Sequence, residues 1–102
     1  MKARVLVGPR VEAFVKALAP EPRQAVRRAI KALAEDRGDI KLLEGKLAPF
    51  WRLRVGKVRV VYQIKTVKGK RQVFCFFADY RATVYEVLEQ LLAAGIIEEM
   101  NE

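Results

Sequence analysis

Hydrophobic and polar positions follow two different periods along the chain, and the first of them is helical. Apolar residues recur three and four positions apart over residues 11–18 and again over 26–33, so each stretch presents one apolar helix face. Residues 3–7 read as a short strand that ends at Gly8-Pro9. Pro20 and Pro22 separate the helices, and Pro22 suits the first turn of the second one because no N–H partner is needed there. Together with the stop at Gly38, this pattern predicts a β-α-α unit.

The second period is that of strands. Residues 50–64 read as a β-hairpin and residues 72–78 as a further strand, followed by an amphipathic helix over 84–92 that ends near Gly95. We expect residues 39–49 to form a loop that packs against the core, because it carries several leucines and an isoleucine. The predicted order is β-α-α-β-β-β-α, an α+β fold with an antiparallel sheet, in which residues 1–102 form a single domain.

The turn of the predicted hairpin fixes which side chains share a face. Gly56-Lys57 separates the two strands, and a two-residue loop that begins with glycine is typical of a type II′ turn. The predicted register pairs Val55 with Val58, Arg54 with Arg59, Leu53 with Val60, and Arg52 with Val61. Because side chains alternate between faces, the three arginines lie together, opposite the apolar residues of the hairpin.

This cluster of Arg52, Arg54 and Arg59 has two interpretations. Like charges directly opposite each other destabilise a sheet by up to about 1 kcal/mol, which a purely structural sheet would avoid. We therefore favour an anion site, since the guanidinium fork matches phosphate oxygens. The alternative is a solvated cluster that Glu44 or the glutamate-rich residues 96–102 neutralise.

Charge and composition narrow the range of functions. The formal net charge is +8, and residues 41–81 hold eleven basic side chains against two acidic ones. This excess is typical of a protein with a polyanionic partner, nucleic acid first among the candidates, and equally of a solvated basic surface that aids solubility. The sequence has no histidine, no serine and a single cysteine, so a Ser-His-Asp triad, a histidine-ligated metal and an internal disulfide are excluded. We expect no metal and no other cofactor. No apolar run approaches the roughly 18 residues of a membrane span, and no signal peptide precedes the first strand, so we expect a cytoplasmic protein without a membrane partner.

Two segments resemble the RelE/ParE toxin superfamily. Residues 43–62, LEGKLAPFWRLRVGKVRVVY, resemble its central pattern, which is roughly L-x-G-x-L-x-x-x-W/Y-R/K-[LI]-R/K-x-G-x-[YF]-R-[VL]-[VI]-Y. Residues 79–85, DYRATVY, resemble its ending, and the predicted element order also fits. The resemblance implies a twisted antiparallel sheet packed against two N-terminal helices, with a C-terminal helix.

The resemblance also implies a function. RelE-type members are toxins of type II toxin–antitoxin systems that cut mRNA in the ribosomal A site without metal, so mRNA and a cognate antitoxin are the implied partners. The implied catalytic positions are Arg52, Arg54, Arg59, Arg81 and Tyr85. We add Lys46, Lys57 and Tyr80 as candidate RNA-binding residues. Two alternatives remain, a ParE-like inhibitor of DNA gyrase and a catalytically weak RNA-binding homologue, and the second is suggested by Asp79 and Tyr80, which depart from the family pattern.

Tyr85 is the candidate general base. Arginine stays protonated and cannot take a proton from RNA, whereas positive charge close to a phenol favours the phenolate. Tyr85 also shares a helical stripe with Leu88 and Leu92, so a core aromatic, or a ring that stacks on a base, are alternative interpretations. We assign Trp51, Tyr62 and Cys75 to the core.

Overall fold

The computed structural model describes residues 2–80 and 83–95, which form one five-stranded sheet with helices on both faces. The strands are β1 (Arg4–Val7), β2 (Asp39–Leu42), β3 (Trp51–Val55), β4 (Val58–Val67) and β5 (Lys70–Tyr80). The helices are α1 (Pro9–Lys16), α2 (Pro20–Ala32) and α3 (Val84–Ala93), with single 3-10 turns at Leu33–Glu35 and Gly45–Leu47. The predicted α+β fold is confirmed, with one strand more than the sequence indicated.

The sheet has the order β1-β5-β4-β3-β2. Neighbouring strands are antiparallel except for β1, which pairs in parallel with β5. The two edges are therefore β1, the first strand of the chain, and β2, which precedes the hairpin of β3 and β4. Among residues 2–80 and 83–95, no helix has the length and the apolar character that crossing a bilayer requires.

The prediction that residues 39–49 form a loop is wrong for its first four residues. Residues 39–42 are β2, which pairs with β3 so that Asp39 lies opposite Arg54 and Lys41 opposite Arg52. The physical reason is a short period-2 alternation: Ile40 packs against the core, and its polar neighbours point to the other face. The remainder does pack down, since Leu43 and Leu47 are buried.

The strands β4 and β5 extend beyond the predicted limits. Residues 65–71 lie between the predicted strands, but the turn itself is confined to Lys68 and Gly69, both of which have positive φ (53° and 75°). Two consecutive residues of positive φ make a tight hairpin connection whose twist matches that of the flanking strands. The pairing therefore continues to Val67 and Lys70 at the turn.

The sheet separates two hydrophobic cores. On one face, α1 and α2 pack against residues that include Leu53, Val60 and Tyr62. On the other face, α3 contributes the fully buried Val84 and Leu88, which belong to the same core as the phenylalanines of β5. Each strand of the hairpin thus sends alternate side chains into different surroundings.

The hairpin register agrees with the prediction at every pair. Val55 lies opposite Val58, Arg54 opposite Arg59, Leu53 opposite Val60, and Arg52 opposite Val61. Gly56 has a φ of +58°, whereas Lys57 does not have positive φ, as a type II′ turn requires. This turn consequently fixes the face on which the arginines lie.

Candidate functional site

A cavity of about 330 Å³ opens on the α3 side of the sheet. Its lining residues are Lys41, Leu43, Glu44, Leu47, Arg52, Arg54, Arg59 and Tyr85. They come from β2, β3, β4, α3 and the segment between β2 and β3. Four of the predicted catalytic residues, the three hairpin arginines and Tyr85, therefore meet at one cavity.

The strand pairing explains why the positive charge is concentrated here. Lys41, Arg52, Arg54 and Arg59 occupy facing positions on three adjacent strands, since Lys41 pairs with Arg52 and Arg54 pairs with Arg59. Among the described residues that line the same cavity, Glu44 alone carries a carboxylate. Four cations crowded in this way repel one another unless an anion lies between them.

Arg52 and Arg54 share a carboxylate that the sequence did not point to. Arg52 Nη1 lies 3.3 Å from Asp39 Oδ1, and Arg54 Nε lies 2.8 Å from Asp39 Oδ2. Each oxygen of the carboxylate therefore faces a different arginine. The Arg52 side chain is only 13% exposed, whereas those of Arg54 and Asp39 are 56% and 49% exposed.

Arg59 is held by the turn of its own hairpin. Its Nη1 donates hydrogen bonds to the Gly56 carbonyl at 2.8 Å and to the Val58 carbonyl at 3.1 Å. Its Cα partner on β5 is Asp79, which places an acidic side chain on the same face. Asp79 also accepts a hydrogen bond from the Tyr80 N–H at 2.8 Å, and it lies in β5 rather than at the start of α3.

Tyr85 combines the two roles that the sequence left open. It is the second residue of α3, is half-buried, and packs at the border of the core around Val84 and Leu88. It also lines the cavity beside the arginines. The core therefore positions the ring, while the cavity gives a ligand access to it.

The candidate RNA-binding residues lie outside this cavity. Tyr80 is 49% exposed, but it lies on the face of the sheet that α1 and α2 cover, where its ring meets Phe14 edge-on at 5.2 Å. Lys57 lines the same apolar groove as Tyr80, between α2 and the hairpin turn. Lys46 lines a separate cavity with Glu89 of α3. Their roles in RNA binding stay predictions, and the geometry does not group them with the arginines.

Two parts of the sequence prediction lie outside the described residues. They are Arg81, the fifth predicted catalytic residue, and residues 96–102, the acidic segment that was one candidate for neutralising the arginines. Within the described residues, Asp39 supplies a carboxylate that pairs with both Arg52 and Arg54.

The assignment of three residues to the core is confirmed. Tyr62 and Cys75 are fully buried, and Trp51 is partly buried and stacks on Tyr62 with ring centroids 6.3 Å apart. Burial raises the pKa of the Cys75 thiol to about 12, so this thiol stays protonated at neutral pH. Burial, and secondarily the Asp36 carboxylate, raise the pKa of the Tyr62 phenol to about 12.

Sequence reasoning missed Asp39 and Lys41 because it placed both in a loop. The signal that could have found them is the alternation Asp-Ile-Lys-Leu immediately after the glycine stop of the helical unit. Four alternating residues are too few to predict a strand strongly. The pairing of Asp39 with arginines 13 and 15 positions later also depends on the β2–β3 register.

Comparison with known proteins identifies the fold. No protein-family model matches the sequence, and no similar curated protein is found. In structure the chain is similar to the RelBE2 toxin–antitoxin complex of Mycobacterium tuberculosis, with a TM-score of 0.66, 24% identity, and coverage of 79% of this chain and 100% of the other. It is also similar to the archaeal RelE–RelB complex of Pyrococcus horikoshii, with a TM-score of 0.59, 19% identity, and coverage of 80% and 98%.

A third similar structure is a YoeB/ParE toxin from Agrobacterium tumefaciens, with a TM-score of 0.61, 13% identity, and coverage of 76% of this chain and 98% of the other. All three proteins are matched over nearly their full length, so the likeness concerns the whole domain rather than a shared hairpin. The chain therefore has the RelE-like fold that these three structures share, as its sequence motifs predicted.

Proposed function

We propose that this protein is the toxin of a type II toxin–antitoxin system and that it cleaves mRNA on the ribosome. The observation that carries the proposal is the cavity in which Arg52, Arg54 and Arg59 surround an opening shared with Tyr85. Arginines hold a phosphate bidentately, and a phenol can exchange a proton with a hydroxyl. These are the groups that RNA cleavage without a histidine requires.

The reaction uses the nucleophile that RNA itself contains. The ribose 2′-oxygen forms a bond to the adjacent phosphorus, and the bond from phosphorus to the 5′-oxygen of the next nucleotide breaks. The products are a 2′,3′-cyclic phosphate and a 5′-hydroxyl end. In the proposed roles, Tyr85 as phenolate takes the proton of the 2′-hydroxyl, and the arginines stabilise the negative charge that develops on the phosphate. The leaving 5′-oxygen takes up a proton from water or from the Lys41 ammonium.

The proposed dependence on the ribosome follows from what the cavity lacks. The chain has no histidine, and therefore no side chain whose ordinary titration suits proton transfer at neutral pH. A weak base needs a substrate that is already held in the reactive geometry, and orientation of this kind is worth several kcal/mol. We therefore expect slow cleavage of free RNA and faster cleavage of mRNA in translating ribosomes.

The proposed protein partner is an antitoxin. Two of the similar structures are complexes of a RelE-like toxin with RelB. In this chain, a segment that carries acidic side chains would complement the excess of basic residues at the cavity. Such a segment would cover the arginines and so block access of RNA.

The test compares three variants with the wild type for growth arrest and for mRNA cleavage in a translation reaction. We expect Tyr85→Phe, which keeps the packing of the ring, to lower the cleavage rate by about 10²–10⁴. We expect Arg54→Gln to lower it by about 10²–10³. Arg27→Gln is the matched control, because Arg27 belongs to α2 and pairs with Glu12 at 3.5 Å on the opposite face of the sheet.

Unchanged cleavage in both cavity variants would remove the ribonuclease assignment. Growth arrest without mRNA cleavage, accompanied by inhibition of DNA supercoiling by the purified protein, would instead place it among the gyrase inhibitors.

A further inference from the structure

We propose that Asp39 is an internal counterion that competes with RNA for Arg52 and Arg54 and so limits the RNA affinity of the cavity. This inference rests on the proposed function in one respect, namely that the ligand of the cavity is RNA. It assigns a role to a residue of the edge strand β2 that the RNA-cleaving groups do not include.

The geometry of the ion pairs is that of an anion already bound. The two carboxylate oxygens of Asp39 lie 3.3 Å from Arg52 Nη1 and 2.8 Å from Arg54 Nε, so one group bridges both arginines. Planar guanidinium groups bind carboxylate and phosphate oxygens in the same manner. A phosphate that binds both arginines in this way takes the place of the carboxylate.

The backbone places Asp39 there, rather than a chance side-chain conformation. Asp39 is the Cα partner of Arg54, and Lys41, two residues later on the same face, is the partner of Arg52. The strand β2 has a neighbour on one side only, because it lies at the edge of the sheet. Asp39 thus has solvent beside it, into which its side chain can turn when the arginines take another anion.

The exposure of these groups indicates that RNA can displace Asp39 from the arginines. The Asp39 and Arg54 side chains are 49% and 56% exposed, so water screens the ion pair between them and the pair contributes little to stability. RNA has a higher charge density than a single carboxylate, and its several phosphates can also contact the other cations of the same cavity. The carboxylate therefore lowers RNA affinity by a moderate factor without closing the site.

Binding of a non-cleavable RNA tests the inference separately from catalysis. The probe is a fluorescent single-stranded oligonucleotide with 2′-O-methyl groups, which lacks the nucleophile, and fluorescence anisotropy gives its affinity from about 50 to about 200 mM salt. We expect Asp39→Asn to bind about two- to fivefold more tightly than the wild type at the lowest salt. A fivefold change in affinity corresponds to about 1 kcal/mol. The slope of log affinity against log salt should steepen by about 0.7, because one more cation is available to a phosphate.

Glu12→Gln is the matched control. Glu12 has a side-chain exposure of 48% and pairs with Arg27 at 3.5 Å. Its substitution changes the net charge by the same amount as Asp39→Asn and also releases one arginine. This arginine lies on the face of the sheet that α1 and α2 cover, away from the cavity. We expect it to tighten binding less than Asp39→Asn. Asp39→Glu retains the charge and should bind the probe as the wild type does.

Four results would overturn the inference. Equal tightening in Asp39→Asn and Glu12→Gln would reduce the effect to net charge. Unchanged affinity of Asp39→Asn would show that the carboxylate does not compete. Weaker binding by Asp39→Asn, with an unchanged urea-unfolding curve, would mean that Asp39 holds the arginines in place for RNA. If the curve of Asp39→Asn is shifted to lower urea, the affinity of Asp39→Glu is the deciding measurement. Tighter binding by Asp39→Glu, which keeps the charge, would then refute the role of that charge. Failure of the proposed function is distinct, since it shows as absent mRNA cleavage whatever the probe affinity.

Discussion

Substitution of Gly56 by alanine tests whether the hairpin turn fixes the position of the arginines. Gly56 has a φ of +58°, a conformation that costs an L-residue with a Cβ about 1–2 kcal/mol. Apart from the glycine and its two chain neighbours, no described atom lies within 4 Å of the place where the new Cβ would be, so no steric clash adds to this cost. Alanine also restricts the unfolded chain, which offsets about 0.4–1 kcal/mol. We expect a net loss of about 1 kcal/mol in the free energy of unfolding.

The same substitution should also affect the cavity. The Gly56 carbonyl accepts the 2.8 Å hydrogen bond from Arg59 Nη1, so a turn that relaxes its strain moves the group that holds this guanidinium. Gly69→Ala is the matched control. Gly69 has a φ of +75°, and apart from the glycine and its two chain neighbours no described atom lies within 4 Å of the Cβ that alanine would add. It belongs to the β4–β5 turn, whose residues are not among those that line the cavity. Its stability should fall by a similar amount, with no change at the cavity.

Urea unfolding followed by circular dichroism measures the first effect, and anisotropy with the non-cleavable RNA measures the second. We expect both glycine variants to unfold at lower urea, with a fall in melting temperature of about 4 °C. RNA affinity should fall in Gly56→Ala alone. A Gly56→Ala protein as stable as the wild type, or one that loses stability but binds RNA as Gly69→Ala does, would refute the link between this turn and the arginines.

Two further predictions concern the interior. Leu53→Ala removes a fully buried side chain between the sheet and the helices and should lower the free energy of unfolding by about 2–5 kcal/mol in urea titration, whereas Leu42→Ala, at a residue 47% exposed, should change it by less than about 0.5 kcal/mol. The raised pKa values of Cys75 and Tyr62, each about 12, mean that the folded protein holds these protons more tightly than the unfolded chain. Their contribution to stability is complete below pH 9, the ordinary range of the thiol, and is lost as the pH rises to about 12. Between pH 9 and about 12, urea titration should show that the free energy of unfolding declines by up to about 1.4 kcal/mol per pH unit and group. The decline should be shallower in Cys75→Ala. An equal slope in this variant and the wild type would contradict the raised pKa of the Cys75 thiol.

The hairpin was predictable from sequence because its determinants are local. A glycine-led two-residue turn and strict alternation on both sides set the register, and the structure reproduces every predicted pair. The meeting of the three arginines with Tyr85 was predictable because the motif resemblance joined two segments that alternation alone could not place relative to each other.

The remainder depended on contacts between distant parts of the chain. Asp39 meets Arg52 and Arg54 through the β2–β3 pairing, which four alternating residues signal weakly. The side on which Tyr80 lies depends on the register of β4 and β5, and this register shifts at a bulge between Val61 and Tyr62. A bulge of this kind changes which residues face each core, so simple alternation cannot be carried from one strand to the next across it.

The order in which the cavity is built has a consequence for a cell that synthesises this protein. The arginines are in place once β3 and β4 pair, whereas Tyr85 arrives with α3, which follows every strand in the chain and docks through Val84 and Leu88. An unfinished chain, left by stalled translation or by a premature stop before this helix, thus carries the guanidinium groups without the phenol. The proposed cleaving activity therefore requires a chain in which α3 has been made and packed, and synthesis that stops before this helix gives a protein without the proposed base.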